Sequence, residues 1–280
     1  MTDKPEVFED AGAQGRILVA ESLTYFKPGA AGVNDVALGA SFAGAPTAAV
    51  PLGTGVKGWV AHEAGPGKDR AGVSGLSLAQ SFGIPAAAIA TMTARLSDGR
   101  SLLTGRVAEA NEAAAALGVR PGQTGEAAAR LMLAGPAGHA CDVAGRIDET
   151  MHELVAPADG RGGIYAVWSF MLVKQPRPKD VFCVASHGAK VMADYASTVM
   201  PRGVIANDAG MGLDGSGADG LPALNDKGVP GATVSADSAR IGDAMSTWND
   251  GVISAVNELA AAKGVRVGMP AQDAARLMLA

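Results

Sequence analysis

In the second half of the chain, short apolar runs alternate with stretches of helical spacing. Residues 180–185 (DVFCVA), 203–206 (GVIA) and 231–235 (GATVS) are brief apolar runs bounded by polar or glycine positions. That is the pattern of strands buried on both faces. Residues 189–198 and 218–227 have helical periodicity, and Gly228 stands where a helix would stop. A longer periodic stretch, 246–263, predicts one long helix ended by Gly264. The runs 164–173 and 16–20 predict further strands, and 142–155 a helix between the two halves. Strands alternating with helices predict parallel β-α-β units with right-handed crossovers.

The pattern occurs twice. AHEAGPGKDRAGVSGL (61–76) matches ANDAGMGLDGSGADGL (206–221), and GIPAAAIATMTARLSD (83–98) matches GVPGATVSADSARIGD (228–243). After a one-residue insertion, NEAAAALGVRPG (111–122) matches NELAAAKGVRVG (257–268), and both copies close on AARLMLA. Upstream, NDVALGASFAG (34–44) lies opposite KDVFCVASHGA (179–189). The expected architecture is therefore α/β: two tandem related units, each a small, mainly parallel sheet flanked by helices. They would occupy residues 15–134 and 160–280, joined by a Gly- and Pro-rich linker at 135–159.

Composition narrows the partners. With 48% hydrophobic and 18% charged residues the chain can bury a core. A net charge of -5 argues against broad nucleic-acid binding. Cys141 and Cys183 match no metal spacing, no run approaches the roughly 20 apolar residues of a membrane span, and the acidic N-terminus lacks a signal-peptide core. The expectation is a cytoplasmic protein that acts on a small molecule and binds neither nucleic acid nor membrane; no cofactor is predicted, a divalent metal stays open, and so does whether two chains pair as a homo-oligomer.

In a parallel sheet, segments that directly follow strands gather at one edge, where ligands bind in open α/β folds. Three polar segments of the second unit qualify. Ser186-His187-Gly188 offers an imidazole as general base, a hydroxyl, and a glycine that lets a ligand approach the backbone. The first unit has Ser41-Phe42-Ala43 there and lacks the base. Asn207-Asp208, with Gly210 after it, offers an orienting carboxylate or an Asx turn. Ser238 and Arg240 offer a hydroxyl and an anchor for an anionic group, although Arg240 and Asp243 recur as Arg95 and Asp98. That recurrence favours an internal ion pair or a helix cap. Trp248 reads as core or interface, and Asn257 and Glu258, like Asn111 and Glu112, as helix surface or inter-unit contacts. The glycine-rich loop around Asp214 lacks the ending of a phosphate-binding Walker loop.

The trio SHG (186–188), NDAG (207–210) and SARIGD (238–243) resembles short bacterial α/β proteins for which no activity is established. The resemblance covers the second unit best and supplies no reaction.

The residues together predict an enzyme performing hydrolysis or proton transfer on a small polar, carboxylate-bearing metabolite. His187, Asp208 and Ser186 would be catalytic; Arg240, Asn207, Gly188, Gly210 and Ser238 would bind substrate. Three alternatives stand beside this. One is a metal-assisted hydrolase using a divalent ion with Asp208, Asp214, Asp243 and His187. Another is a non-catalytic metabolite-binding or assembly protein. The third is a purely structural pseudo-dimer.

Overall fold

The computed structural model describes residues 4–158 and 160–280. The chain forms two compact units. The first is built from residues up to Gly65, from Gly72–Ile147 and from Gly212–Asp214; the second from Pro66–Ala71, Asp148–Met211 and Gly215–Ala280.

In the first unit the elements run β1 (Glu6–Asp10), β2 (Arg16–Ala20), β3 (Val36–Phe42), α1 (Ala45–Thr54), β4 (Gly58–His62), α2 (Ser74–Ser81), β5 (Ala86–Ile89), α3 (Gly99–Thr104), β6 (Val107–Ala110), α4 (Glu112–Ala116) and α5 (Gly125–Leu133). The second unit follows with β7 (His152–Val155), β8 (Ile164–Val167), β9 (Val181–His187), α6 (Lys190–Val199), β10 (Gly203–Asn207), α7 (Gly220–Asp226), β11 (Gly231–Val234), α8 (Ala244–Asp250), β12 (Ile253–Val256), α9 (Glu258–Ala262) and α10 (Ala271–Leu279).

Each unit holds one six-stranded sheet whose spatial order is the chain order. The four inner strands are parallel and each outer strand is antiparallel to its neighbour. This is the expected α/β architecture of two tandem, mainly parallel sheets flanked by helices. Successive right-handed crossovers that advance the same way along a sheet place their helices on one face. In the second unit that face carries α6 and α7, with Met192, Ala193, Leu221 and Leu224 against Phe182, Val184, Val204 and Ala206. The opposite face is covered by α8 and α10, with Ala244, Trp248, Ala274 and Met278 against Val181, Cys183, Ile205 and Val234. Alternate residues of β9 and β10 thus feed two cores, so these strands are apolar throughout. Burial pushes the Cys183 thiol up to about 12, making it a packing group.

Three expectations are corrected. The long helix predicted over 246–263 is α8, β12 and α9 in succession. Ile253 is buried against β11, and Asn257 then starts α9, its Oδ1 accepting the Ala260 N–H at 2.9 Å. The helical periodicity arose from joining two helices across a short strand. The helix expected at 142–155 does not form; His152–Val155 pairs instead with β8 as an edge strand. Finally, Ser186 and His187 are not in a loop, because β9 continues through both.

Candidate functional site

Backbone hydrogen bonds draw the three polar segments of the second unit to one sheet edge. The Gly188 N–H donates to the Asn207 carbonyl at 2.7 Å, and the Asp208 N–H to that of Val234 at 2.8 Å. The Gly242 N–H donates to the Ala185 carbonyl at 2.6 Å. The 235–243 loop therefore lies across the carboxyl ends of β9, β10 and β11. Ser186, Asp208 and Arg240 share this edge, but the structure gives them different kinds of work.

Asn207 is fully buried. Its Oδ1 accepts the Ala209 N–H at 2.9 Å and its Nδ2 donates to the Ala239 carbonyl at 3.1 Å. Asp208 is 5% exposed, and its Oδ1 accepts the N–H groups of Gly210 at 3.0 Å and Ala236 at 2.9 Å. That is the Asx turn, extended to a second loop. Ala209 is held in the left-handed region, with φ 51°. An alanine there is strained by roughly 1 kcal/mol or more, and the two side chains before it supply the fixing bonds. Ser238 Oγ donates to the Ser235 carbonyl at 2.8 Å and accepts the Val252 N–H at 2.9 Å, as Thr93 does with Ala90 and Arg106 in the first unit. These polar atoms hold the frame, so the substrate-binding roles expected of Asn207 and Ser238 lose their support.

The glycines of this region also have structural causes. A Cβ on Gly188 would come within 2.6 Å of Thr233 Cγ2. The first unit has Ala43 and Ala88 at these positions, so the volume removed at 188 is restored at 233. In the glycine-rich loop, a Cβ on Gly217 would lie 1.8 Å from the Asp208 carbonyl oxygen. Gly210 adopts φ 66° as part of the Ala209 turn.

Arg240 donates from Nε (3.1 Å) and Nη2 (2.7 Å) to Asp243 Oδ2, and from Nη1 to Asp69 Oδ2 at 3.2 Å. Asp243 also caps α8, its Oδ1 accepting the Ser246 N–H at 2.9 Å. The pair-plus-cap reading describes both residues, and the guanidinium is already matched by carboxylates. Lys68 adds an ion pair to Asp250 at 3.0 Å, where the Ser246 hydroxyl and the Lys68 ammonium hold the Asp250 carboxyl below its usual range. Asp214 falls in the first unit and takes Arg95 Nη1 at 2.9 Å. Among the described residues no group of three His, Cys, Asp or Glu side chains is placed to hold a metal ion. Asn257 is a buried cap, not helix surface: its Oδ1 also accepts the Gly231 N–H at 3.0 Å, as Asn111 does for Ala86. Trp248 is buried, with the Arg276 guanidinium 5.4 Å from its ring centre.

Ser186 and His187 differ in kind. The first-unit hydroxyl, Ser41 Oγ, accepts the Leu23 N–H at 3.0 Å and is buried. Among the described residues Ser186 makes no corresponding bond, and it is partly exposed. His187, 4% exposed, stands where Phe42 is fully buried, and each pairs in register with the residue that ends the next strand. Sequence reasoning missed Trp168, the residue directly after β8, and the Lys68–Asp250 pair. The first could have been noticed as a tryptophan opposite Glu21 of the other copy. The second needed the fold, because Lys68 and Asp250 are remote in sequence.

Set against protein-family models, curated proteins and solved structures, the chain finds no match. Among the described residues no helix is long and apolar enough to cross a membrane.

Proposed function

We propose that the strand-end edge of the second unit is a small-molecule site at which His187 moves a proton in hydrolysis or isomerisation of a small polar metabolite. One observation carries this reading: two sheets of the same strand order differ at the end of the second inner strand, phenylalanine in one and histidine in the other. An imidazole in place of a phenyl ring puts an acid–base group at a strand end, which is where α/β sheets place their ligands. Asp208 acts as a positioning residue that fixes the loop over the edge. The charge of the substrate is left open, because Arg240 is matched by Asp243 and Asp69.

The test compares the wild-type chain with His187→Phe on a panel of small esters, lactones, hydroxy acids and keto acids. Proton release and exchange of substrate protons with D2O are followed. Turnover by the wild type, lost in His187→Phe with an unchanged or raised melting temperature, supports the reading. Equal turnover in the two proteins overturns it. A second reading, a non-catalytic binding protein, is favoured by the many edge residues that only brace the frame. It predicts ligand-induced stabilisation in both proteins and turnover in neither.

A further inference from the structure

Trp168 is 3% exposed, and among the described residues its indole N–H has no hydrogen-bond partner. Indole is a donor only, and buried N–H groups are nearly always satisfied by protein or by ordered water. The place is informative. Trp168 follows directly on Val167, which pairs in register with Val184 of the adjacent strand. Ser186 and His187 end that strand. Three neighbouring strand-end features thus depart together from the first unit. Trp168 replaces Glu21, His187 replaces Phe42, and Ser186 lacks the backbone bond made by Ser41. A second buried indole N–H without a partner, that of Trp59, lies within β4 and not beyond a strand end.

Resting on the proton-transfer reading above, we propose that Trp168 is a binding residue of the same site. It donates its indole N–H to a carbonyl or carboxylate oxygen of the molecule on which His187 acts. The ligand class is thereby a compound with an acceptor oxygen beside the bond that His187 protonates or deprotonates. Phenylalanine at 168 would keep the packing and lose the donor.

The experiment uses the full chain labelled with 15N in its tryptophan indoles, with the Trp168 resonance assigned by its absence in Trp168→Phe. Sodium acetate is the probe, and sodium chloride at equal ionic strength the control. The expected result is a saturable downfield shift of the Trp168 N–H with acetate alone, while the Trp59 resonance stays in place. A Trp168 resonance that does not respond to acetate overturns the inference. The turnover assay separates the two readings. A still resonance in a protein whose turnover requires His187 removes the donor alone. A shifting resonance in a protein indifferent to His187→Phe removes the proton transfer and leaves an oxygen-binding indole.

Discussion

His62 in the first unit and Asn207 in the second hold the same turn with different atoms. His62 Nδ1 accepts the Ala64 N–H at 2.9 Å, so its proton sits on Nε2, which donates to the carbonyls of Ala94 at 3.0 Å and Thr91 at 3.1 Å. Asn207 does this with an amide, bonding Ala209 and Ala239. Ala64 and Ala209 are both left-handed, at φ 59° and 51°. Imidazole and carboxamide are interchangeable here because each offers one acceptor and one donor on a planar group.

That equivalence gives a pH prediction. Burial holds His62 below its ordinary value of 6.5. In acid the unfolded chain takes up a proton that the folded chain resists. His62 therefore costs nothing above pH about 6.5, and stability falls as the pH drops through that value towards the folded one. His62→Asn keeps the Ala64 bond and removes the titration. Its melting temperature, measured from neutral pH to about 5, should fall less steeply than that of the wild type.

Gly188 and Thr233 form a coupled pair. Gly188→Ala alone drives a methyl against Thr233 Cγ2 and should destabilise by about 1–3 kcal/mol. Adding Thr233→Ala recreates the Ala43–Ala88 arrangement and should recover much of the loss. The remainder reflects the Thr233–Ser254 hydroxyl bond of 3.0 Å. A double-mutant cycle in urea measures the coupling, and additive effects would contradict it.

Exchanging the two strand-end residues should act in opposite directions. Phe42→His places an imidazole in a fully buried phenyl site and should cost about 2 kcal/mol or more. His187→Phe should leave stability unchanged or raised. Chemical denaturation of both variants decides this, and a large loss in His187→Phe would show the imidazole to be structural.

Asp98 and Asp243 cap α3 and α8, with Asp98 Oδ1 accepting the N–H groups of Arg100 at 3.1 Å and Ser101 at 3.2 Å. Replacement of either by alanine should cost about 1 kcal/mol. The loss of the Arg240 pair in Asp243→Ala adds little, because that pair is partly exposed. Matched unfolding curves for the two variants test this.

The architecture was legible because a duplicated chain states its pattern twice. β10 was legible from its own apolar run, GVIA at 203–206. The short β12 was not legible, because its apolar residues fell in phase with the helices on either side. At the site, the gathering of segments followed from strand polarity. The occupation of Asn207, Asp208 and Ser238 by backbone partners did not, because a turn-forming carboxylate and a catalytic one have the same letter. Arg240 was better read, since its recurrence as Arg95 already pointed to bracing. Trp168 escaped notice because the missing partner of its N–H is a property of packing, which spacing does not encode.

Because each sheet is laid down in chain order, every strand pairs with the strand just before it in the chain. No strand waits for a distant segment, and loop closures stay short. Each unit is wound like thread on a spool, one turn against the last, with the closing helix, α5 or α10, laid on only when the winding is complete.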